Sequence, residues 1–409
     1  MSAKYALPSL EESQQLRQAE SIVHNNLVQM ECEELLKEIT VDYDSLDNVS
    51  ASLFTLRELL MKAPSQTVCA AEDPSNNASS TSSTSSTNDT DYQNATPLQL
   101  PSGTSMRRWT TDLSNKRSGT TTLAFTPPTE IELMGSFLLR TIAKPKCNVD
   151  LAIHMPSNCF APKDILDYRY HDKRLLYLTC LYEHLTSMNN NEENNEDNEE
   201  DDTNGSTLFE HISIIGFTSI DDVASKPIIT LTPRRSKAMS KTEKMFTFHL
   251  HLIAPASIFN VNKLSPSSGN LRIHRHASTG ERLPTPRYNC SILEDLYYLR
   301  HLRGLHTFST QLYNPDSFSE TCLLLKLWCR KRNYHKHRDS MNGFHLTVLL
   351  AHLLDTRVVH AHGTPRQMFT TVMEWISNNN FGKTGIAVTC LSKGEIKNPR
   401  NEDDDSEGK

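Results

Sequence analysis

Two short segments within residues 131–156 carry the residue types that bind phosphate groups and metal ions. An apolar run, Ile131–Met134, ends in Gly135 and Ser136, and after eleven intervening residues Asn148 and Asp150 begin a second apolar run. Glycine lets the backbone approach a triphosphate, and a serine hydroxyl with neighbouring N–H groups can hold its oxygens. Carboxylates two residues apart on a strand share one face, where they can bind two Mg²⁺ ions. The layout is typical of metal-assisted phosphoryl transfer.

Active nucleotidyltransferases use this layout, but the metal site of this chain is incomplete. Asn148 stands where the first carboxylate is expected, and Asp150 is the second. Gly135, Ser136, Asn148 and Asp150 are therefore predicted to form a degenerate nucleotide and metal site, with no catalytic residue, no bound metal and no cofactor. Two alternatives stay open. One is an active template-independent nucleotidyltransferase that adds nucleotides to RNA 3′ ends, and the other is an inactive protein that still binds a nucleotide.

The third carboxylate of such a site would lie on a later strand at the same face. The best candidate strand, residues 245–253, carries His249 and His251 there and no acidic residue. Two histidines spaced in this way share a face and would suit zinc, but no third ligand is apparent. We expect this pair to lie at a polar edge of the core.

The elements that would position these residues are a mixed sheet and several helices. Strands are predicted at 130–134, 148–154, 208–217, 227–232 and 245–253, and a helix over 162–188. From residue 290 onward the pattern is helical, with starts at capping boxes in Ser291–Glu294 and Ser317–Glu320, after Gly343, and near 365–377. The fold class is α+β, a nucleotidyltransferase-like mixed sheet with helices followed by an all-helical domain.

Composition shifts divide the chain into five segments. They are an amino-terminal helical hairpin over 10–64, a disordered Ser/Thr/Asn-rich linker over 65–105, the nucleotidyltransferase-like domain over 106–285 with an acidic loop at 189–204, the helical domain over 286–391, and a disordered acidic tail over 392–409. The linker contains too few apolar residues to offset the entropy of ordering it.

Charge and cysteine content limit the function classes. The net charge is −7, but most of the acidic excess lies in residues 192–202 and 401–409. Outside these segments basic residues outnumber acidic ones by about five. The basic residues occur in clusters, which is typical of a protein surface that contacts RNA. The RNA-binding candidates are Arg234, Arg235, Lys237, Arg330, Lys331 and Arg332. The nine cysteines form no CxxC pair, and no apolar run is long enough to span a membrane.

Several segments resemble the amino-terminal part of the Nrap family, the nucleolar RNA-associated proteins also called nucleolar protein six. The matching segments are Leu133–Phe137, Asn148–Leu151, Met155-Pro156, Asp167–Leu178, Pro284–Asn289, Leu324–Arg332 and Asn342–Phe344. The most specific of them are Asp-x-Arg-Tyr-x-Asp-Lys-Arg-x-x-Tyr-Leu and Pro-Thr-Pro-x-Tyr-Asn.

This resemblance implies tandem nucleotidyltransferase-like domains, each followed by a helical domain of the poly(A)-polymerase-associated kind, without catalytic activity. It implies a structural role in the nucleus and nucleolus, in the small-subunit processome that supports pre-rRNA processing and small ribosomal subunit biogenesis. The implied partners are pre-ribosomal RNA, small nucleolar RNP components, processome proteins and, in some lineages, a casein-kinase-containing subcomplex. Family members are far longer, so this sequence is expected to be a fragment, a short isoform or an incomplete gene model.

Overall fold

The structure is a computed structural model that describes residues 9–70, 96–98, 121–193, 208–215, 226–235, 239–271, 280, 282–334, 341–380, 383, 385–389 and 391. The chain divides into two units. The sheet unit comprises Tyr43–Leu138 and Cys147–Arg303, and the helical unit comprises Met1–Asp42, Leu139–Lys146 and Gly304–Lys409. Among the described residues, no helix combines the length and apolar character needed to cross a membrane.

The main sheet of the sheet unit has five strands. They are β4 (Ile131–Met134), β5 (Cys147–His154), β6 (Phe209–Ile215), β7 (Ile228–Pro233) and β8 (Phe246–Ile253). Their order is β4-β5-β8-β7-β6, in which β5 and β8 are parallel and the other neighbours are antiparallel. The predicted mixed sheet is therefore confirmed, and every strand end lies within two residues of its prediction.

A second, smaller sheet contains β1 (Gln66–Ala70), β2 (Thr96–Leu98) and β3 (Thr122–Phe125), in the order β2-β1-β3. The prediction of a disordered linker over 65–105 was wrong for β1 and β2, and the rest of that range lies outside the described residues. Val68 and Leu98 are buried. Single apolar residues in a polar context give no periodic signal, so only their non-local partners reveal these strands.

The helices of the sheet unit are α2 (Asp47–Met61), the short α3 (Gly135–Leu138), α4 (Arg169–Glu193) and most of α5 (Pro286–Thr310). Helix α4 begins later than the predicted residue 162, because Asp167 and Tyr168 have positive φ values of 54° and 63°. A right-handed helix cannot include such residues. At its other end α4 continues to Glu193, into the range predicted as the acidic loop.

The helical unit contains α1 (Leu10–Ile39), α6 (Pro315–Lys331), α7 (Gly343–Asp355), α8 (Pro365–Asn378) and the end of α5. Its core is formed by apolar side chains that include Leu305, Phe318, Leu325, Leu350 and Val372. The predicted amino-terminal hairpin is not a separate unit, because α1 belongs to the helical unit and α2 to the sheet unit.

Both predicted capping boxes at the helix starts were wrong. Ser291 is buried inside α5, which begins five residues earlier at Pro286. Helix α6 is capped by Asn314, whose side chain accepts a hydrogen bond from the Ser317 N–H at 3.2 Å. In both helices a proline occupies the first turn, where its fixed φ favours the helix and the N–H group that it lacks would have no partner within the helix.

The crossover segment, Leu139–Lys146, lies between α3 and β5 in sequence but belongs to the helical unit. Three side chains on one face of α6 donate hydrogen bonds to backbone carbonyl groups of the crossover segment. They are Ser319 to Leu139 at 3.1 Å, Lys326 to Thr141 at 2.9 Å and Arg330 to Ala143 at 2.9 Å. Ala143 also pairs with Thr40 at the end of α1. The helical unit is therefore built from three separate parts of the chain.

Candidate functional site

The predicted Gly-Ser turn is present at the end of β4. Gly135 has a φ of 70°, a conformation that favours glycine, and it follows directly on Met134. Met134 pairs with Asp150 across the antiparallel β4–β5 ladder. A Cβ atom added at Gly135 would lie 3.0 Å from Asp150 Oδ2, so the glycine lets the turn approach the carboxylate. Ser136 is the second residue of α3 and is half-buried.

The parallel pairing of β5 with β8 brings the two histidines to Asp150. Asp150 pairs with His249, and Ala152 pairs with His251. Side chains alternate along both strands, so one face carries buried apolar residues and the opposite face carries the half-buried polar ones. Asn148, Asp150, His249 and His251 all lie on this polar face.

Asp150 accepts hydrogen bonds from three of its neighbours. Asn148 Nδ2 lies 2.9 Å from Oδ1 and 2.8 Å from Oδ2 of the carboxylate. Oδ1 also lies 3.2 Å from His249 Nδ1 and 3.4 Å from His251 Nε2. The sequence indicated no third ligand beside the histidines, and the structure corrects this by placing Asp150 there. The three residues form a group of ligand atoms that all lie within 4.8 Å of one another.

These neighbours control the ionisation of Asp150. Burial favours the neutral carboxyl group, but hydrogen bonds from His249 and His251 and their electrostatic interaction with the carboxylate outweigh it, so the pKa of Asp150 lies well below its usual value. The effect extends to Tyr298 of α5. Burial, and then the negative charge of Asp150, raise the pKa of this phenol to about 12, so it stays protonated at neutral pH.

The donor set does not fit the two Mg²⁺ ions that the nucleotidyltransferase layout implies. Asp150 is the only carboxylate on β5 and β8, and the position beside it on β8 is His249. Magnesium prefers oxygen ligands in octahedral geometry, and two-metal phosphoryl transfer depends on several of them. Asn148 gives its amide N–H groups to Asp150, so its side chain supports the carboxylate instead of adding a second one.

A second group of acidic and histidine side chains lies farther along the same sheet. The Glu132 carboxylate of β4 is hydrogen-bonded to the His154 imidazole of β5. Arg303 of α5 binds the same carboxylate, with Nε 3.1 Å from Oε2. Burial opposes ionisation of Glu132, but His154 and Arg303 outweigh it and lower the pKa. A cationic guanidinium bound to this carboxylate disfavours a metal ion there.

The predicted basic residues fall into two places. Arg234 and Arg235 are exposed just after β7, and Arg235 forms an ion pair with Glu210 at 3.5 Å. Lys331 and Arg332 are exposed at the end of α6. Arg330 instead binds the crossover segment, and Lys237 lies outside the described residues. The two places belong to different units.

Sequence reasoning therefore found each residue of the site but not the group that they form. Asp150 and His249 are 99 residues apart, and the parallel register of β5 with β8 is what brings them together. Two strand histidines with an i, i+2 spacing are the one local signal that points to this site.

A family model described as Nrap protein domain 1 matches residues 107–311, and a second, described as Nrap protein PAP/OAS-like domain, matches residues 317–407. Nucleolar protein 6 of Homo sapiens is 28% identical over 394 residues, which is 95% of this chain and 29% of that protein. The protein of the same name from Xenopus laevis is 27% identical over 398 residues, 96% of this chain and 30% of that protein.

The chain thus spans less than a third of the length of these curated relatives. Among solved structures, the RNA terminal uridylyl transferase Cid1 aligns at 14% identity with a TM-score of 0.34, covering 79% of this chain and 51% of Cid1. At that score the likeness carries no argument about function. The two family models match the sheet region and the helical region, and together they cover most of the chain. This chain therefore belongs to the Nrap family of nucleolar proteins.

Proposed function

We propose that this chain is a non-catalytic structural component of small ribosomal subunit assembly in the nucleolus, acting within the small-subunit processome on pre-rRNA. The nucleolar names of its relatives support the compartment and the link to ribosome biogenesis. The observation that carries the non-catalytic part is the donor set of the site. Asn148 and His249 occupy positions where carboxylates would hold catalytic magnesium, and only Asp150 is acidic on these strands.

In this role the chain contributes surfaces for binding. The basic residues best placed for RNA phosphates are Arg234, Arg235, Lys331 and Arg332, all of which are exposed. Arg330 is assigned to the fold instead, because its guanidinium donates a hydrogen bond within the helical unit. We propose pre-ribosomal RNA, small nucleolar RNP components and processome proteins as partners, and a casein-kinase-containing subcomplex as a further one.

A primer-extension assay tests the absence of catalysis. The purified chain, Asp150→Ala and a known active transferase are each incubated with labelled nucleoside triphosphates, an RNA primer and either Mg²⁺ or Mn²⁺. We expect no extension by the chain while the active transferase extends the primer. Extension that is lost in Asp150→Ala would establish the alternative, an active nucleotidyltransferase. Thermal stabilisation by a nucleotide without extension would instead indicate a retained nucleotide site.

RNA binding is tested on the same full chain by measuring affinity for a pre-rRNA fragment as a function of salt. Each phosphate contact contributes to the slope of log affinity against log salt, so Lys331→Gln with Arg332→Gln should reduce that slope by about 1 to 2. Lys62→Gln, which removes an exposed lysine paired with Glu58, is the matched control and should leave the slope unchanged. Equal slopes in all three proteins would exclude the α6 terminus as an RNA contact.

A further inference from the structure

We infer that Asp150, His249 and His251, together called the His–Asp site, bind a single divalent transition-metal ion, with zinc as the expected metal. This inference goes beyond the proposed function and is independent of it, because an ion held by this sheet requires neither RNA contact nor catalysis.

The spacing of the three side chains matches a metal centre. Asp150 Oδ1 lies 3.2 Å from His249 Nδ1 and 3.4 Å from His251 Nε2. Tetrahedral zinc bound at about 2.0–2.1 Å separates neighbouring ligand atoms by about 3.3 Å. All three ligand atoms lie within 4.8 Å of one another, so small rotations of the side chains bring them around one ion. The fourth position remains for water or another ligand.

The chemistry of the three ligands selects the class of metal. Two imidazoles with one carboxylate suit zinc and the neighbouring transition metals, whereas magnesium and calcium prefer oxygen ligands. The histidines therefore change the type of ion that this position favours. A site that has lost the ligands for two magnesium ions retains enough ligands for one transition-metal ion.

The surroundings support the three ligands as the outer shell of a metal site does. Asn148 donates hydrogen bonds to both oxygens of Asp150 and so fixes the orientation of the carboxylate. The missing side chain of Gly135 leaves space beside Oδ2. The ligands stand on two hydrogen-bonded strands, which hold their backbones in register. Their side chains are 18 to 24% exposed, so an ion can enter while most of the surrounding water is excluded.

Metal titration of the full chain tests this inference. The protein is freed of metal with a chelator, dialysed, and titrated with Zn²⁺ in competition with a chromophoric chelator. We expect one equivalent to bind. His249→Gln and His251→Gln keep a hydrogen-bond donor near Asp150 but remove the imidazole, and each should weaken binding by more than about 100-fold. Asn148→Ala should weaken it by about 10- to 100-fold, as is typical of an outer-shell partner.

Two controls separate this site from other ligands on the chain. His211→Ala removes an exposed histidine from β6 of the same sheet and should bind Zn²⁺ as the unsubstituted chain does. Titration with Co²⁺ should give visible absorption bands without the charge-transfer band of thiolate ligands, which excludes the nine cysteines as the source. Circular dichroism of each metal-free variant checks that it folds.

The inference fails on any of three results. Zn²⁺ binding that is unchanged in both glutamine variants would place the ion elsewhere. A thiolate band in the Co²⁺ spectrum would assign the ion to cysteines. Competition by Mg²⁺ at the same concentration as Zn²⁺ would indicate a site of oxygen ligands. None of these results depends on primer extension or RNA binding, so the metal-binding inference and the proposed function are tested independently.

Discussion

Asp295 of α5 is a buried carboxylate surrounded by cationic side chains in the sheet unit. Lys226 Nζ lies 3.0 Å from Oδ1, and Arg174 Nε lies 3.5 Å from Oδ2, to which the Tyr170 hydroxyl also donates a hydrogen bond at 2.8 Å. Burial favours the neutral form of Asp295, but Lys226, Arg174 and His171 outweigh it and lower its pKa. The ionised carboxylate thus stabilises the fold by compensating buried positive charge.

We expect Asp295→Asn to lower the free energy of unfolding by ~3–5 kcal/mol at pH 7, because it leaves Arg174 buried without its anion. Since the folded-state pKa of Asp295 is lowered, its contribution is fully present above the unfolded-state value of about 3.9 and is lost as the pH falls through the folded-state pKa. The difference between the two proteins should therefore shrink below about pH 4. Urea unfolding across this pH range measures it.

Glu294→Gln is the matched control for this change. Glu294 is the neighbouring residue and binds the same Lys226 at 3.0 Å, but its side chain is 64% exposed. An exposed ion pair contributes at most about 1 kcal/mol, so this variant should unfold nearly as the unsubstituted chain does. Equal losses in the two variants would show that burial of Asp295 is not what makes its pairing strong.

At the scale of elements, α6 holds the crossover segment with a single face. Ser319, Lys326 and Arg330 recur at helical spacing, and each donates to a carbonyl group of that segment. The side chains of α6 thereby provide hydrogen-bond donors for these backbone carbonyl groups. The basic cluster at the end of α6 therefore has a structural member, Arg330, and two exposed members.

We expect Arg330→Gln to lower the free energy of unfolding of the helical unit by ~1.5–3 kcal/mol, the usual contribution of a hydrogen bond from a charged donor. Lys331→Gln changes the next residue, which is exposed, and should alter stability by no more than about 0.5 kcal/mol. Thermal unfolding followed by circular dichroism compares the two. A larger effect from Lys331→Gln would contradict the assignment of Arg330 to the fold.

At the scale of the whole molecule, the helical unit is discontinuous in sequence. Leu36 and Ile39 of α1 and Ala143 of the crossover segment pack against Leu323 and Leu324 of α6. A contiguous fragment over 286–391 would lack these contacts and expose the two leucines. We expect such a fragment to unfold without a cooperative transition, whereas the full chain unfolds cooperatively in the same buffer. A well-dispersed NMR spectrum from the fragment would show that α1 and the crossover segment are dispensable.

Local sequence patterns were enough to predict the secondary-structure elements and the chemistry of the first strand pair. Short apolar runs, with clear alternation in residues 148–154 and 245–253, predicted the five strands of the main sheet. The Gly135 turn with Asn148 predicted an incomplete magnesium site. These features depend on neighbours within a few residues, which a sequence displays directly. The exact starts of helices were predicted less well. The capping boxes at Ser291 and Ser317 suggested later starts than the actual ones at Pro286 and after Asn314. The positive φ of Asp167, which delays α4, has no signal in the sequence.

Contacts between residues that are distant in sequence depend instead on how the elements pair and pack. The parallel register of β5 with β8 places His249 beside Asp150, and a shift of one residue would turn the histidines to the opposite face. The same holds for β1 and β2, and for the crossover segment, whose partners lie far along the chain. Register and docking are set by the summed packing of residues remote in sequence, so no local pattern encodes them.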